Sequence, residues 1–307
     1  MKTVEIKDKK FEFVDSSTLN ADLVVRPNIS YWKDAWRRFK QNKIAMIFLG
    51  VLVLIILTAI FGPIIRKMDH LTVVTANKDL SPSKEFIWGT DSMGRDLFTR
   101  VWIGARLSIV IALIGTLIVI VIGCLYGGIA AYTGGIVDEI MMRIVEVLNS
   151  IPTLILSLLI LVVLGNGAIQ LMIALCITAW TGAARMIRGQ ILQLRESEYV
   201  LAAEALGASP MRVITKHLLP NTIGLIILNV ASTIPSIIVT ETVFSFLGIG
   251  LNIPAFSLGS LLSAGQQAMT FYPYQLLFPS LVLCLLVLAF NLVGDGLRDA
   301  LDPKLRS

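Results

Sequence analysis

The chain has 307 residues, 55% of them hydrophobic and 15% charged, with a net charge of +5 and a mean hydropathy of +0.78. That is too apolar and too poor in charge for a soluble domain of this length. Lys2, Lys7, Lys9, Lys10, Arg26, Lys33, Arg37, Arg38, Lys40 and Lys43 all precede the first apolar run, a bias that fits the positive-inside rule of membrane proteins and not nucleic-acid binding.

Residues 1 to about 29 mix Lys, Asp, Glu, Ser and Thr with little periodicity and read as a cytosolic tail. No apolar core follows their charges directly, which does not fit a cleaved signal peptide. In residues 30–42, Tyr31, Trp32, Ala35, Trp36 and Phe39 are helically spaced, with Lys33, Arg37, Arg38 and Lys40 between them. That is a basic amphipathic helix suited to an anionic membrane surface. Residues 44–65 are long enough to cross a hydrocarbon layer about 30 Å thick, and Gly62-Pro63 marks the far end. A long polar segment follows, in which Asp91/Arg95 and Asp96/Arg100 stand at i, i+4 and predict a short helix. Its Arg66, Lys67, Lys78, Lys84, Arg95 and Arg100 make it the one outer segment where the positive-inside bias is weak.

The second predicted span, 107–132, contains Gly123, Gly127 and Gly128 for close helix packing. The third runs from about 140 to 164, with Pro152 expected to kink it. The fourth is 168–187, with Arg185 and Arg188 at its end. The fifth, 222–246, contains Glu241 between Thr240 and Thr242. Residues 251–273 carry no Lys or Arg, as an outer loop should. The sixth span is 276–292, and Asp295, Arg298, Asp299, Asp302, Lys304 and Arg306 end the chain. Six spans place both termini in the cytosol.

Between spans four and five lies the one long polar stretch of the second half. Tyr199, Ala202, Ala203 and Leu206 recur at i, i+3, i+4 and i+7 and form one apolar stripe. Gly207 follows where a left-handed C-terminal cap needs a residue without Cβ. Ser209 and Pro210 then supply an N-cap and a first helical residue, and Pro220 is expected to end the second helix. A bent helix pair between two spans reads as a docking element or as an ordinary amphipathic surface helix.

This stretch is similar to the docking loop of ATP-binding-cassette (ABC) importer permeases: Glu-Ala-Ala, three residues, Gly, nine residues, Ile, one residue, Leu-Pro. Ala202, Ala203, Gly207, Leu219 and Pro220 match it, while Leu201 replaces the Glu and His217 the Ile. The segment from Gly89 to Arg100 resembles GTD-x-x-GRD-x-x-SR of the oligopeptide, dipeptide and nickel branch, with Thr99 for Ser. Asp138, Met142, Arg143 and Pro152 follow that branch's third-span pattern, with Glu146 for Asp, and residues 244–262 resemble its segment before the last span, with Leu258 for Trp. The resemblance covers roughly residues 30–307.

It implies an all-α polytopic membrane protein of the type I ABC importer permease fold: six spans, both termini inside, and cytosolic docking helices between spans four and five. It implies a tail at 1–43, a first span and outer loop at 44–106, and a core at 107–307 with a coupling loop at 188–221. It also implies a sister permease subunit, two ABC ATPases that bind the ATP and magnesium, an extracellular substrate-binding protein and a peptide substrate. Oligopeptides are the first expectation; dipeptides and nickel chelates are alternatives. Tyr199, Ala202, Ala203, Leu206, Gly207 and Pro220 are the expected ATPase-docking residues.

The residues themselves exclude some chemistry. There is no G-x-x-x-x-G-K-[ST] loop to cradle phosphates. The two histidines, His70 and His217, fall on opposite sides of the membrane, and Cys124, Cys176 and Cys284 read as small buried hydrophobes. The chain is therefore not expected to be an enzyme or to hold a cofactor or metal. Glu241 reads either as a cavity or gate residue or as a hydrogen-bonded helix contact, and a proton-coupled transporter using it is the other mechanistic alternative.

Overall fold

A computed structural model describes residues 31–251 and 254–301, and the expectations for the tail 1–30 and for Asp302, Lys304 and Arg306 lie outside them. The described residues are mostly helical; the main exception is the irregular segment 67–96, which holds one short helical turn at Thr75–Asn77 and an isolated bridge between Thr90 and Asp96. The helices are α1 (Tyr31–Gln41), α2 (Lys43–Arg66), α3 (Leu97–Thr133), α4 (Gly135–Ser150), α5 (Thr153–Leu164), α6 (Ala168–Leu194), α7 (Glu198–Ala205), α8 (Pro210–Val213), α9 (Leu219–Asn221), α10 (Ile223–Phe246), α11 (Leu258–Ala268) and α12 (Tyr274–Leu301). Five of them (α2, α3, α6, α10 and α12) are long and apolar enough to cross a membrane, and α4 with α5 makes a sixth crossing if that bent pair is one span.

Two helix starts follow local rules. The Asn42 side chain accepts from the Ala45 N–H at 3.1 Å and opens α2. Asp96 does the same for α3, accepting from the Thr99 N–H at 2.9 Å and its hydroxyl at 2.5 Å. With 37 residues, α3 is about 55 Å long, well beyond the hydrocarbon layer. The predicted second span is its latter part, and its first four residues, Leu97 to Arg100, are the end of the polar segment.

α3 is the central helix. Its largest interface is with α6, where small residues let the backbones meet. A Cβ on Gly123 would lie 2.5 Å from Ala183 Cβ, and one on Gly127 would lie 2.3 Å from the Ala184 carbonyl oxygen. α2 and α10 pack on other sides of α3, while α12 closes against α2, α10 and α11. The short helix α11 is wedged among them, with Gly259 against the Thr242 backbone and Gly265 against that of Gln275.

One expectation is sharpened and one is corrected. The predicted third span breaks at Pro152, the site of the expected kink, and the two helices on either side meet at 90°. The residue before a proline is pushed out of the helical region; Ile151 is extended (φ −89°, ψ 126°), so α4 stops at Ser150 and α5 starts afresh after Pro152. The predicted short helix at 91–100 is a tight turn up to Asp96. Asp91 and Arg95 do pair, at 2.8 Å, but across that turn. Asp91 Oδ1 accepts the N–H groups of Met93 and Arg95, and Gly94 sits at φ +76° under the Val74 carbonyl. Asp96 caps α3, and Arg100 reaches Asp91 at 3.3 Å.

Candidate functional site

The candidate docking segment grows out of α6. α7 ends in a Schellman cap: the Gly207 N–H donates to the Glu204 carbonyl (2.9 Å) and the Ala208 N–H to that of Ala203 (3.0 Å), with Gly207 at φ +81°. Ser209 is extended and its carbonyl accepts from the Val213 N–H at 3.0 Å, but its side chain makes no cap bond. Pro210 is the first residue of α8, as expected. The chain does not stop at Pro220. It takes π form over Ile214–Leu218, where the Leu219 N–H donates to the Ile214 carbonyl, and continues to Asn221. A proline ring clashes with the carbonyl four residues back and offers no N–H, and the wider π turn accommodates both.

The segment has a buried side and an exposed side. Val200, Val213 and Leu218 are fully buried, and Ile214 abuts Gly128 of α3, where a Cβ would lie 3.0 Å from Ile214 Cγ2. Arg195 donates to the Ala131 carbonyl at 3.0 Å, and Arg188 grips Asp138 of α4 with two hydrogen bonds of 2.6 and 2.5 Å. The base is therefore fixed to α3, α4 and α6. On the other side Leu206 is 89% exposed, flanked by exposed Tyr199, Ala202, Leu201 and Met211, with Gly207 and Pro220 also exposed. Ala203, expected on the docking face, is turned inward at 9% exposure. The predicted stripe straddles the edge of the covered face: Ala203 shares the inner side with Val200, and the other members look out.

Glu241 is 0% exposed. Ser108 of α3 donates to its Oε2 at 2.8 Å and Ser245, one turn on in α10, to its Oε1 at 2.7 Å, while Ser257 at the start of α11 lies beside it. The carboxylate thus ties α3, α10 and α11 together, the arrangement of a helix contact.

At the same end, the three arginines in and beside the 67–96 segment are engaged, while Lys67, Lys78 and Lys84 are exposed. Arg66 meets Asp96 at 3.4 Å, Arg95 and Arg100 share Asp91, and Arg100 also donates to the His70 carbonyl at 2.9 Å and lies 4.0 Å from the centre of the Phe256 ring. Gln275 donates to Asp79 at 2.8 Å and Tyr274 to the Leu80 carbonyl at 2.9 Å, fastening the segment to α12. His70 is held below its ordinary value by burial, with Asp69 opposing and Arg100 and Arg106 adding to the effect.

Residues 120–307 match the family model described as "Binding-protein-dependent transport system inner membrane component". The chain belongs to that family. Residues 30–82 of this permease match the "N-terminal TM domain of oligopeptide transport permease C". It is 44% identical to the oligopeptide transport system permease protein OppC of Bacillus subtilis (98% of this chain, 99% of that one). It is 43% identical to the dipeptide transport system permease protein DppC of the same organism (98% and 95%) and 40% to OppC of Escherichia coli K12 (90% and 92%). A solved chain of the MetNI methionine ABC transporter in an inward-facing conformation shares the fold, with a TM-score of 0.54 at 22% identity over 72% of this chain and 99% of that one. The permease is thus a multi-pass inner-membrane transport component and not an enzyme.

Sequence reasoning named Asp138 and Arg188 without pairing them, and missed Val200 as an anchor. The spacing of Val200 and Ala203 at i, i+3 was the available signal for the covered side.

Proposed function

We propose that this permease imports peptides, pairs with a sister permease, and is driven by two ABC ATPases that dock on the face of Tyr199, Ala202, Leu206 and Gly207. The observation that carries the reading is the docking segment itself: an exposed apolar face on a base pinned to α3, α4 and α6. A face so fixed transmits a push to the spans as a rigid lever, which alternating access requires. α1 and the docking segment face the cytosol, and the 67–96 segment and α11 face outward toward a substrate-binding protein. Ala203 supports the lever from within and makes no docking contact. The buried, serine-bound Glu241 favours an interface role and gives no support to a proton-coupled mechanism.

Oligopeptides are the first substrate class. The near-equal identity to OppC and DppC of one organism favours dipeptides as the second reading. Purified alone, the chain should hydrolyse no ATP above background. With its sister subunit and ATPases in proteoliposomes, hydrolysis should rise when peptide-loaded binding protein is added. Hydrolysis by the chain alone, or by the complex without any response to loaded binding protein, would overturn the reading.

A further inference from the structure

α1 presents three distinct flanks. Ala35 and Phe39 are buried one turn apart. Phe39 is pinned where α12 passes: a Cβ on Gly296 would meet Ala45 Cβ at 2.3 Å and Phe39 Cε2 at 3.1 Å. The helix is therefore held against the protein and does not trail from it. Beside the buried flank, Trp32 and Trp36 are 51% and 49% exposed, one turn apart. Trp36 stacks on Phe39 with ring centres 5.6 Å apart, so its position is set. Beyond the tryptophans, Lys33, Arg37 and Lys40 are all exposed, with the Lys40 ammonium 5.3 Å from the Trp36 ring centre. The single acid of the helix, Asp34, is engaged by Arg38 at 3.0 Å. α2, which crosses the membrane, begins two residues after α1 ends and exposes Ile44 and Ile47 in its first turns. α1 thus lies at the mouth of a span.

From this arrangement we infer that α1 is a binding surface for anionic phospholipid. The two indoles enter the interfacial layer, where an apolar body with a polar tip is best solvated. Lys33, Arg37 and Lys40 meet the acidic headgroups above it. A free phosphate matches the cations but offers nothing apolar to the exposed indoles, and the exposed Ile44 and Ile47 of the adjoining span extend the apolar surface beside them, so the pairing of the two favours a lipid.

The test uses the complete transporter in nanodiscs of phosphatidylcholine with a graded fraction of phosphatidylglycerol. Either lipid carries bromine, and tryptophan quenching is read. The difference between wild type and W32F/W36F isolates these two residues. The expected result is stronger quenching by brominated phosphatidylglycerol than by brominated phosphatidylcholine, unchanged by excess inorganic phosphate. K33Q/R37Q/K40Q should lose that preference, by about fivefold in relative lipid affinity for each cation removed. Its substitutions are at exposed positions and should leave folded yield unchanged. Equal quenching by both lipids, a preference that survives in the triple variant, or no quenching of these tryptophans because another part of the chain or a partner covers them, would each overturn the assignment.

Discussion

Gly127→Ala tests the α3–α6 seam, on which the proposed lever depends. The added Cβ would stand 2.3 Å from the Ala184 carbonyl oxygen and 3.1 Å from both the Ala184 carbonyl carbon and the Arg188 nitrogen. All three are backbone atoms, so no rotamer change relieves the contact. The first is more than 1 Å inside van der Waals distance, and the helices must part by about that amount. Overpacking costs about 1–3 kcal/mol, and the higher helix propensity of Ala offsets at most about 1 kcal/mol. The expected net loss is about 1–2 kcal/mol. Gly182→Ala is the control: it lies in α6 with nothing within 4 Å of its added Cβ, so only the propensity gain applies. Thermal unfolding of the purified chain in one detergent should put the two variants on opposite sides of wild type. A Gly127→Ala midpoint at or above wild type would mean that the seam is not closed as described.

Three further outcomes follow from the described contacts. Glu241→Leu strands the Ser108 and Ser245 hydroxyls at a cost of about 2 kcal/mol and should lower the melting temperature, while Glu241→Gln keeps an acceptor and should retain both fold and uptake; equal melting of Glu241→Leu and wild type would remove the interhelix role. A double-mutant cycle on Asp138→Asn and Arg188→Gln should give a coupling of about 1–2 kcal/mol for this forked, partly exposed pair, and additive effects would show that it is not formed. His70 is held below the ordinary histidine value of about 6.5, first by burial, so the unfolded chain takes up its proton first as pH falls. Protection of the 67–96 segment against amide exchange should drop as pH falls through 6.5 toward the lower folded value, and a pH profile in His70→Phe identical to wild type would refute this.

What could be read from the sequence was local. Gly207 and Pro210 announced a cap and a helix start because each residue type admits few backbone conformations. The apolar runs announced the spans by length alone. Pro152 marked a break, but the 90° between α4 and α5 depends on how each packs against α6, which no local window contains. The spacing of Asp91 and Arg95 fits a helix and an aspartate-capped turn equally well, and the positive φ of Gly94 decided for the turn. Helical periodicity showed that Tyr199, Ala202, Ala203 and Leu206 share one face; which edge of it is covered was decided by Val200 and the packing beneath α7. The Asp138–Arg188 fork joins residues fifty positions apart, and no pattern of spacing points to it.

The central claim is that an exposed, rigidly based face at α7 carries ATPase power into the membrane. Leu206→Asp addresses it most directly, because Leu206 is 89% exposed and the change disturbs nothing beneath it. Buried under a partner, the new carboxylate would lie unpaired on an apolar surface, at a cost of a few kcal/mol, on the order of a hundredfold or more in affinity. The variant complex, purified through a tag on the permease and reconstituted with binding protein, should have normal permease yield, lose its ATPases and import no labelled peptide. Wild-type ATPase retention together with wild-type peptide uptake in Leu206→Asp would contradict the account.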